Sequence, residues 1–213
     1  MNRFKLVCFD VDGTLVDGIS WIRLTEGLGC SPREHIDIFN RATRGEISFI
    51  EGERMLTKMY KESGNATRKF IRNLFSEIKP KPEVGKIISY LKNKNYKIYL
   101  ISGAIDIYVE EIAKKLEVDG FYTNSSLGFT KNGFLEKIYY RDNQGEVKVE
   151  QINKLIRKLG ISMNDVVFVG DSDNDVEVFK KTGHGVAVEP SSQNLKSVAW
   201  KTIDSLEQIK EIL

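Results

Sequence analysis

Residues 4–14 read Phe-Lys-Leu-Val-Cys-Phe-Asp-Val-Asp-Gly-Thr, a short apolar run that stops at two closely spaced carboxylates. The run at 4–9 is typical of a strand buried on both faces of a sheet, because such strands are apolar along most of their length. Similar runs at 96–101, 166–169 and 186–188 predict three further strands. Amphipathic helical patterns lie between these runs, so the sequence predicts an α/β fold with a parallel sheet covered by helices on both faces.

A second pattern occupies residues 17–79, where apolar residues recur at helical spacing and no convincing strand occurs. We therefore predict a small helical cap at 17–79, inserted after the first strand, and a core formed by 1–16 and 80–213. From Asn124 to Val147, glycines separate short polar and apolar stretches, as in a β-hairpin. The predicted architecture is a three-layer, Rossmann-like parallel sheet with a helical cap.

The composition excludes several classes of protein. The 213 residues are 41% hydrophobic and 29% charged, which suits a globular domain with its own core. No apolar run approaches the roughly 20 residues of a membrane helix, and a net charge of +2 is too small to indicate a nucleic-acid partner. Cys8 and Cys30 lie far apart and outside any CxxC pattern, which favours a reduced, cytoplasmic protein.

Polar side chains follow three of the predicted strands. Asp10 and Asp12 follow the first strand, Ser102 the second and Asp171 the third. Ligands of open parallel sheets bind beyond the carboxyl ends of the strands, so we expect these side chains to meet in one crevice. Asp10 and Asp12 are two residues apart and point the same way, and their repulsion favours a bound cation.

A second acidic cluster follows the third strand, with carboxylates at Asp171, Asp173 and Asp175. Oxygen-only ligands of this kind suit Mg²⁺, which keeps water and substrate phosphate in its remaining positions. A single Asp at a strand end is about as often a helix cap or a turn residue. Two acidic clusters that end in the same crevice make that interpretation much weaker.

Ser102 and Lys148 each have a functional and a structural interpretation. Ser102-Gly103 precedes the helix predicted near Ile105, where a hydroxyl and free N–H groups form an anion site, although plain N-capping is commoner. Lys148 lies at the predicted start of the helix 149–159, the unfavourable end of the helix dipole for a cation. An anion bound there would remove the conflict, and an exposed, solvated lysine is the alternative.

Other catalytic and binding motifs are missing from the sequence. There is no recognisable Ser/His/Asp or Cys/His arrangement, no GxxxxGK[ST] loop and no GxGxxG. An NTP-binding or dinucleotide-binding fold would therefore lack its phosphate cradle. His35 and His184 lie outside every cluster, and we predict that each is a surface or loop histidine.

Taken together and in their order, these motifs resemble those of the haloacid dehalogenase superfamily of phosphatases. The segment 10–14 is similar to the first motif, Ser102 to the second, Lys148 to the third, and Gly-Asp-Ser-Asp-Asn-Asp at 170–175 to the fourth. The insertion after the first motif, with Gly-Glu-Ile-Ser-Phe at 45–49, resembles the cap of the phosphoserine phosphatase branch. The resemblance covers the whole chain.

The resemblance implies a Mg²⁺-dependent phosphomonoesterase that hydrolyses a small phosphorylated metabolite through an aspartyl-phosphate. Asp10 would be the nucleophile, and Asp12 would act as general acid and then as general base. The other implied roles are metal binding by Asp10, the Asp12 backbone carbonyl and Asp171, phosphate binding by Ser102, Gly103 and Lys148, orientation of substrate or water by Asn174, and support of the metal and of Lys148 by Asp175.

Several alternatives stay open at this point. The protein could be a phosphoserine phosphatase proper, a phosphotransferase that uses the same aspartyl-phosphate, or a non-catalytic binding protein, which the intact motifs disfavour. Serine-specific members of the branch carry a Glu and a cap Arg at positions where this chain has Ile19 and Leu56. The charged residues that could replace them are Asp17, Arg44, Glu53 and Arg54. We expect no nucleic-acid or membrane partner, and a monomer or homodimer.

Overall fold

A computed structural model describes residues 4–213 and contains a seven-stranded sheet in the order β4-β3-β2-β1-β5-β6-β7. The strands are β1 (Leu6–Phe9), β2 (Lys97–Ile105), β3 (Gly120–Phe129), β4 (Leu135–Tyr140), β5 (Val166–Gly170), β6 (Gly185–Val188) and β7 (Lys201–Ile203). The helices are α1 (Ser20–Gly27), α2 (Pro32–Thr43), α3 (Phe49–Glu62), α4 (Arg68–Ser76), α5 (Val84–Asn93), α6 (Asp106–Leu116), α7 (Gln144–Leu159), α8 (Val176–Thr182), α9 (Gln193–Val198) and α10 (Ile209–Ile212). None of the helices within 4–213 is long and apolar enough to cross a membrane.

Strand β1 lies at the centre of the sheet. It pairs in parallel with β2 on one side and with β5 on the other, so that Leu6 is opposite both Lys97 and Val166. Successive side chains of a strand point to opposite faces. Leu6 accordingly packs in one hydrophobic cluster and Val7 in the other, and all four residues of β1 are buried. This explains why the strand is apolar throughout.

Helices cover both faces of the sheet. On one face, α5 and α6 pack against it through residues such as Ile87 and Ile112. On the other face, α7 and α8 pack through residues such as Ile152 and Phe179. Among the strand pairs formed by residues 4–213, only β3–β4 is antiparallel. The predicted three-layer α/β class with a mostly parallel sheet is therefore confirmed.

The helices α1–α4 lie between β1 and α5 in the chain. Ser31, Ser48 and Thr67 begin α2, α3 and α4 by accepting a backbone N–H bond in the first turn, as N-cap residues do. Apolar spacing predicted helices near α1, α3 and α4 but missed α2, whose sequence is mostly polar. The division of the chain at 16/17 and 79/80 stays a prediction.

The β3–β4 hairpin connects the sheet with the inserted helices. Its strands pair antiparallel, but β3 also pairs in parallel with β2, so the predicted hairpin is an extension of the main sheet. The Ile138 backbone N–H donates to Thr57 Oγ1 at 3.2 Å, and the Tyr140 N–H donates to Glu53 Oε1 at 2.7 Å. These bonds attach β4 to α3. The short edge strand β7 was not predicted.

Candidate active site

Asp10 lies directly beyond the end of the central strand β1. Its backbone N–H donates to the Val169 carbonyl at 2.9 Å, which places Asp10 at the edge where the parallel strands end. The side chain is buried, and its Oδ1 accepts the Val11 N–H at 2.7 Å. Its Oδ2 accepts from Lys148 Nζ at 3.0 Å. The Asp10 carboxylate is thus held in one orientation, in the crevice expected beyond the carboxyl ends of the parallel strands.

Lys148 is a buried ammonium shared among three acceptors. Its Nζ donates to Asp10 Oδ2, to Asn174 Oδ1 at 2.6 Å and to Asp175 Oδ1 at 2.6 Å. Burial lowers the pKa of Lys148, but the carboxylates of Asp10 and Asp175 more than offset this and leave the pKa above its usual value. Because α7 begins at Gln144, Lys148 lies in its second turn, so both the predicted helix-start position and the exposed alternative are wrong.

Three carboxylates converge beside this lysine. Oxygen atoms of Asp10, Asp171 and Asp175 lie within 4.8 Å of one another. Burial raises the pKa of Asp171 and of Asp175, and the nearby Asp10 carboxylate raises both further. Thr14 Oγ1 donates to Asp171 Oδ1 at 2.8 Å and orients that side chain. Three carboxylates facing one ammonium leave excess negative charge, and oxygen-only donors fit a small divalent cation.

Two glycines make room for these carboxylates. Gly13 has φ +76°, a left-handed conformation that favours glycine, and a Cβ there would overlap Asp171 Oδ2. A Cβ at Gly170 would overlap Asp175 Oδ2 in the same way. Gly13 therefore allows the first acidic cluster to approach the second, and Gly170 allows Asp175 to fold back towards the end of β5.

Asp12 is held by the first residue of α1. Its Oδ2 accepts from the Ser20 N–H at 2.9 Å and from Ser20 Oγ at 2.7 Å. Burial raises the pKa of Asp12 to about 6, an effect that these Ser20 bonds oppose. Its Oδ1 is also buried and accepts no hydrogen bond of good geometry from residues 4–213. The nearby Tyr108 hydroxyl also stabilises the Asp12 carboxylate and so opposes the effect of burial. Asp12 therefore has a pKa near neutrality and one carboxylate oxygen that Ser20 does not engage.

Ser102 and Gly103 belong to the strand rather than to the following helix. Strand β2 continues to Ile105 and α6 begins at Asp106, so Ser102 is not the N-cap of that helix. Its buried hydroxyl accepts the Ala104 N–H at 3.2 Å. Both residues face the same cavity as Asp10. The simple capping role that competed with anion binding is therefore absent for Ser102.

A cavity of about 470 Å³ opens above these groups. Its floor is formed by residues from the strand ends, namely Asp10, Asp12, Ser102, Gly103, Asp171 and Asn174. Its walls come from α1, α2, α3 and β4. Ile19 and Leu56, the positions at which serine-specific relatives would carry Glu and Arg, both line it. Of the charged residues considered as replacements, Glu53 alone lines it, whereas Asp17, Arg44 and Arg54 do not.

His35 belongs to the cavity wall, a position that was not predicted from the sequence. His35 is buried on α2, lines the cavity, and places Nδ1 2.8 Å from Thr25 Oγ1 and 2.9 Å from the Tyr60 hydroxyl. Burial lowers its pKa to about 4, so the ring is neutral at pH 7. The prediction of a surface or loop position is wrong for His35. Its spacing from Ile38 and Ala42, the other buried residues of α2, is the signal that identifies this face.

His184 does lie in a loop, between α8 and β6, as predicted. It packs edge-on against Phe4 and Trp200, with ring centroids 4.7 and 5.4 Å apart. It does not line the cavity.

Gln144 was not predicted to contribute to the site. Its Nε2 donates to the Tyr140 hydroxyl at 2.7 Å, and both residues line the cavity.

Comparison with known proteins agrees with this geometry. The family model of haloacid dehalogenase-like hydrolases matches residues 4–183. The chain belongs to this family. The phosphoserine phosphatase of Methanocaldococcus jannaschii is 30% identical to this hydrolase over 191 residues, which cover 87% of this chain and 86% of that protein. A phosphoglycolate phosphatase of Aquifex aeolicus is 26% identical over 193 residues, which cover 86% and 84% of the two chains.

A solved structure of a phospho-aspartyl intermediate analogue of phosphoserine phosphatase superimposes with a TM-score of 0.76 at 25% identity, over the whole of both chains. The predicted resemblance to the phosphoserine phosphatase-like branch is therefore confirmed. The predicted class of enzyme, a hydrolase of phosphoric monoesters, is confirmed at the level of the class. The acidic cluster of this haloacid dehalogenase-like hydrolase is compatible with a metal ion.

Proposed function

We propose that this hydrolase removes phosphate from a small phosphomonoester through an aspartyl-phosphate on Asp10, with Mg²⁺ as cofactor. One observation carries the proposal. The Asp10 carboxylate lies on the cavity floor with Lys148 Nζ at 3.0 Å and two further carboxylates within 4.8 Å. A nucleophile, a fixed cation and an acidic cation site are the parts that phosphoryl transfer to a carboxylate needs.

Asp10 is the proposed nucleophile. Its carboxylate oxygen forms a bond to phosphorus while the bond from phosphorus to the alcohol oxygen of the substrate breaks. Lys148 and the Val11 N–H orient the carboxylate before the attack. Support comes from the similarity of the whole chain to a phosphoserine phosphatase solved as a phospho-aspartyl intermediate analogue.

Asp12 is the proposed acid and base. It gives its proton to the departing alcohol oxygen, then takes a proton from the water that hydrolyses the aspartyl-phosphate. A carboxyl group with a pKa of about 6 is suited to both steps at neutral pH, because neither protonation state is rare. The hydrogen bonds from Ser20 engage Oδ2, so we assign these transfers to Oδ1.

The carboxylates of Asp10 and Asp171, with the Asp12 backbone carbonyl, would hold Mg²⁺. When bound, the ion reduces the repulsion between the nucleophile and the phosphate. Asp175 Oδ1 accepts from Lys148 Nζ at 2.6 Å and so would support both the lysine ammonium and the bound metal ion. Ser102, the Gly103 N–H and Lys148 would bind the phosphoryl oxygens, and Asn174, which accepts from Lys148, would orient the substrate or water.

The proposed partner is a small phosphorylated metabolite that carries little charge beyond its phosphate. None of the lining residues within 4–213 is Lys or Arg, so the carboxylate of phosphoserine would lack a cationic partner at the wall. The curated relatives differ in their named substrates, phosphoserine for one and phosphoglycolate for another.

The proposed cytoplasmic location rests on two cysteines that form no disulfide. The oligomeric state, monomer or homodimer, stays a prediction.

The test is phosphate release from p-nitrophenyl phosphate, with Mg²⁺ or with excess EDTA. We expect release that EDTA abolishes and added Mg²⁺ restores. Asp171→Asn should raise the Mg²⁺ concentration needed for half-maximal rate by about tenfold or more. Asp173→Asn is the matched control, because Asp173 is exposed in the same loop and its carboxylate accepts from Ser192 Oγ instead. Full activity in EDTA, or equal effects of the two variants, would contradict the metal assignment.

A further inference from the structure

The cavity wall above the catalytic floor is predominantly apolar. Side chains from α1, α2, α3 and β4 form it. Its large apolar side chains include Trp21, Ile22, Ile36, Phe39, Leu56 and Ile138. Binding sites are usually apolar with a few polar groups that fix the ligand. Here those polar groups lie together at the floor, where the phosphate is proposed to bind.

Several polar groups of the wall already form hydrogen bonds within the protein. Glu53 Oε1 accepts the Tyr140 N–H at 2.7 Å, and the Tyr140 hydroxyl accepts from Gln144. His35 Nδ1 faces Thr25 and Tyr60. A substrate rich in hydroxyl or charged groups would leave many of them without partners inside this cavity, and each such group costs free energy.

The rim of the cavity continues the apolar surface outwards. Ile19, Ile36 and Phe39 all line the cavity, yet they are 56%, 47% and 45% exposed. Large apolar side chains that remain exposed next to a binding cavity mark a surface that a ligand or partner covers. The continuity of this rim with the catalytic floor favours a ligand that occupies both.

We propose that the substrates are phosphate monoesters of apolar alcohols, whose hydrocarbon chain lies along the wall and reaches the rim at Ile19, Ile36 and Phe39. The inference rests on the proposed phosphomonoesterase function and specifies the leaving group. A cavity of about 470 Å³ has room for such a chain in addition to the phosphate. The phosphate binds at the floor, and the hydrocarbon chain contacts the walls. None of the lining residues within 4–213 is a Lys or Arg that could pair with an additional anionic group of the substrate.

A series of n-alkyl phosphates, from ethyl to decyl, tests the proposal. The reacting bond is the same in every member, so differences in kcat/KM report contacts with the chain. A fully buried methylene should raise kcat/KM by about fourfold, which corresponds to ~0.8 kcal/mol. We expect a rise of about two- to fourfold per methylene until the wall is covered, then a plateau. All substrates are kept below the concentration at which they aggregate.

The experiment distinguishes failure of the apolar substrate class from failure of the proposed phosphomonoesterase function. A series in which ethyl phosphate is hydrolysed but kcat/KM stays flat or falls with chain length overturns the apolar substrate class and leaves the phosphomonoesterase function in place. Loss of release from every ester, including p-nitrophenyl phosphate, overturns the proposed function itself.

A matched pair of variants locates the chain. Ile36→Asn should lower the ratio of decyl to ethyl kcat/KM by about fivefold or more, since it places a polar group on the rim. Ile50→Asn is the control, because Ile50 is also an exposed isoleucine of the inserted helices, 60% exposed, but does not line the cavity. Equal effects of the two variants would overturn the assigned position.

A second copy of the chain is the competing occupant of the rim. Sedimentation velocity of the wild type and of Ile36→Asn separates the two. If the wild type is a dimer that Ile36→Asn dissociates, and kcat/KM does not depend on chain length, the rim is a protein interface and the proposal is wrong. A chain-length dependence that is the same at low and high protein concentration supports the proposal.

Discussion

At the scale of single residues, the site is defined by a buried lysine and the carboxylates around it. Lys148 contacts Asp10 and Asp175, and all three side chains are at most 3% exposed. Charged side chains are buried to this extent only when each has a partner, because an unpaired buried charge costs several kcal/mol of folding free energy. The cluster therefore holds Asp10, the proposed nucleophile, in place and keeps an ammonium beside it.

Asp10→Asn should abolish turnover and preserve the fold. The amide cannot form an aspartyl-phosphate, and we expect kcat to fall by about 10⁴-fold or more, in line with losses for other essential nucleophiles. The neutral amide also relieves repulsion from Asp171 and Asp175, so folding should survive. Phosphate release and circular dichroism measure the two effects. A kcat within a few-fold of the wild type would remove Asp10 from the nucleophilic role.

Lys148→Met should destabilise the protein by roughly 3–5 kcal/mol, because Asp10 and Asp175 lose their buried counter-ion. The free energy of unfolding is measured by urea denaturation at pH 7 without divalent metal. Lys114→Met is the control. Lys114 pairs with Glu110 at 2.9 Å and with Glu111 at 3.2 Å, but on an exposed surface, where we expect a loss of less than about 1 kcal/mol. Equal losses in the two variants would contradict this account of the cluster.

At the scale of elements, α2 contributes a neutral histidine to the cavity wall. His35 lies on the buried face of α2, and its Nδ1 contacts Thr25 of α1 and Tyr60 of α3. Three of the four inserted helices, α1, α2 and α3, thus meet at one small polar cluster. Because the ring is desolvated, protonation of His35 is coupled to the packing of these helices.

His35 should make stability depend on pH between about 4 and 6.5. Its folded pKa is about 4, below the unfolded value of 6.5, so in this range the unfolded chain binds more protons. The stability contributed by His35 therefore rises with pH through this window and is constant above it. The gain is at most about 3 kcal/mol. Urea denaturation of the wild type and of His35→Gln from pH 4 to pH 7 isolates the effect, and a difference that does not change with pH would contradict it.

At the scale of the whole molecule, the cavity exists because two parts of the chain face each other. Its floor comes from the ends of β1, β2 and β5, and its walls come from the inserted helices and from β4. Hydrogen bonds from β4 to Thr57 and Glu53 join the sheet to α3. In the proposed function, the floor binds the phosphate and the walls contact the alcohol.

Phosphoserine should not be the preferred substrate. A serine leaving group needs partners for an ammonium and a carboxylate, and the cavity positions Ile19 and Leu56 offer neither. In a panel of phosphorylated metabolites, another small ester should have the higher kcat/KM. Ile19→Glu combined with Leu56→Arg should raise the phosphoserine rate relative to that ester, and more than either single variant.

Wild-type preference for phosphoserine by about 100-fold or more, roughly 2.7 kcal/mol in transition-state binding, would contradict this prediction. Glu53, which lines the cavity, would then be the first residue to mutate.

Local patterns in the sequence were sufficient for several parts of this protein. The apolar run of β1 predicted a strand buried on both faces, and the motif residues that follow the strands predicted the floor of the site. The order of the motifs was enough to assign the family, and three of the four lie near the carboxyl end of a strand or directly after it, as predicted. Each of these motifs is encoded within a few residues, so it can be read without a structure.

Features that depend on contacts between distant segments required the folded structure. The burial of Lys148 depends on Asp10, Asn174 and Asp175, which are far from it in the chain. For His35, the spacing to Ile38 and Ala42 indicates a buried face of α2, but its partners come from α1 and α3. The apolar wall likewise combines α1, α2, α3 and β4, which are separated in the chain. Burial and cavity shape are properties of packing between elements, and no single segment carries enough information to specify them.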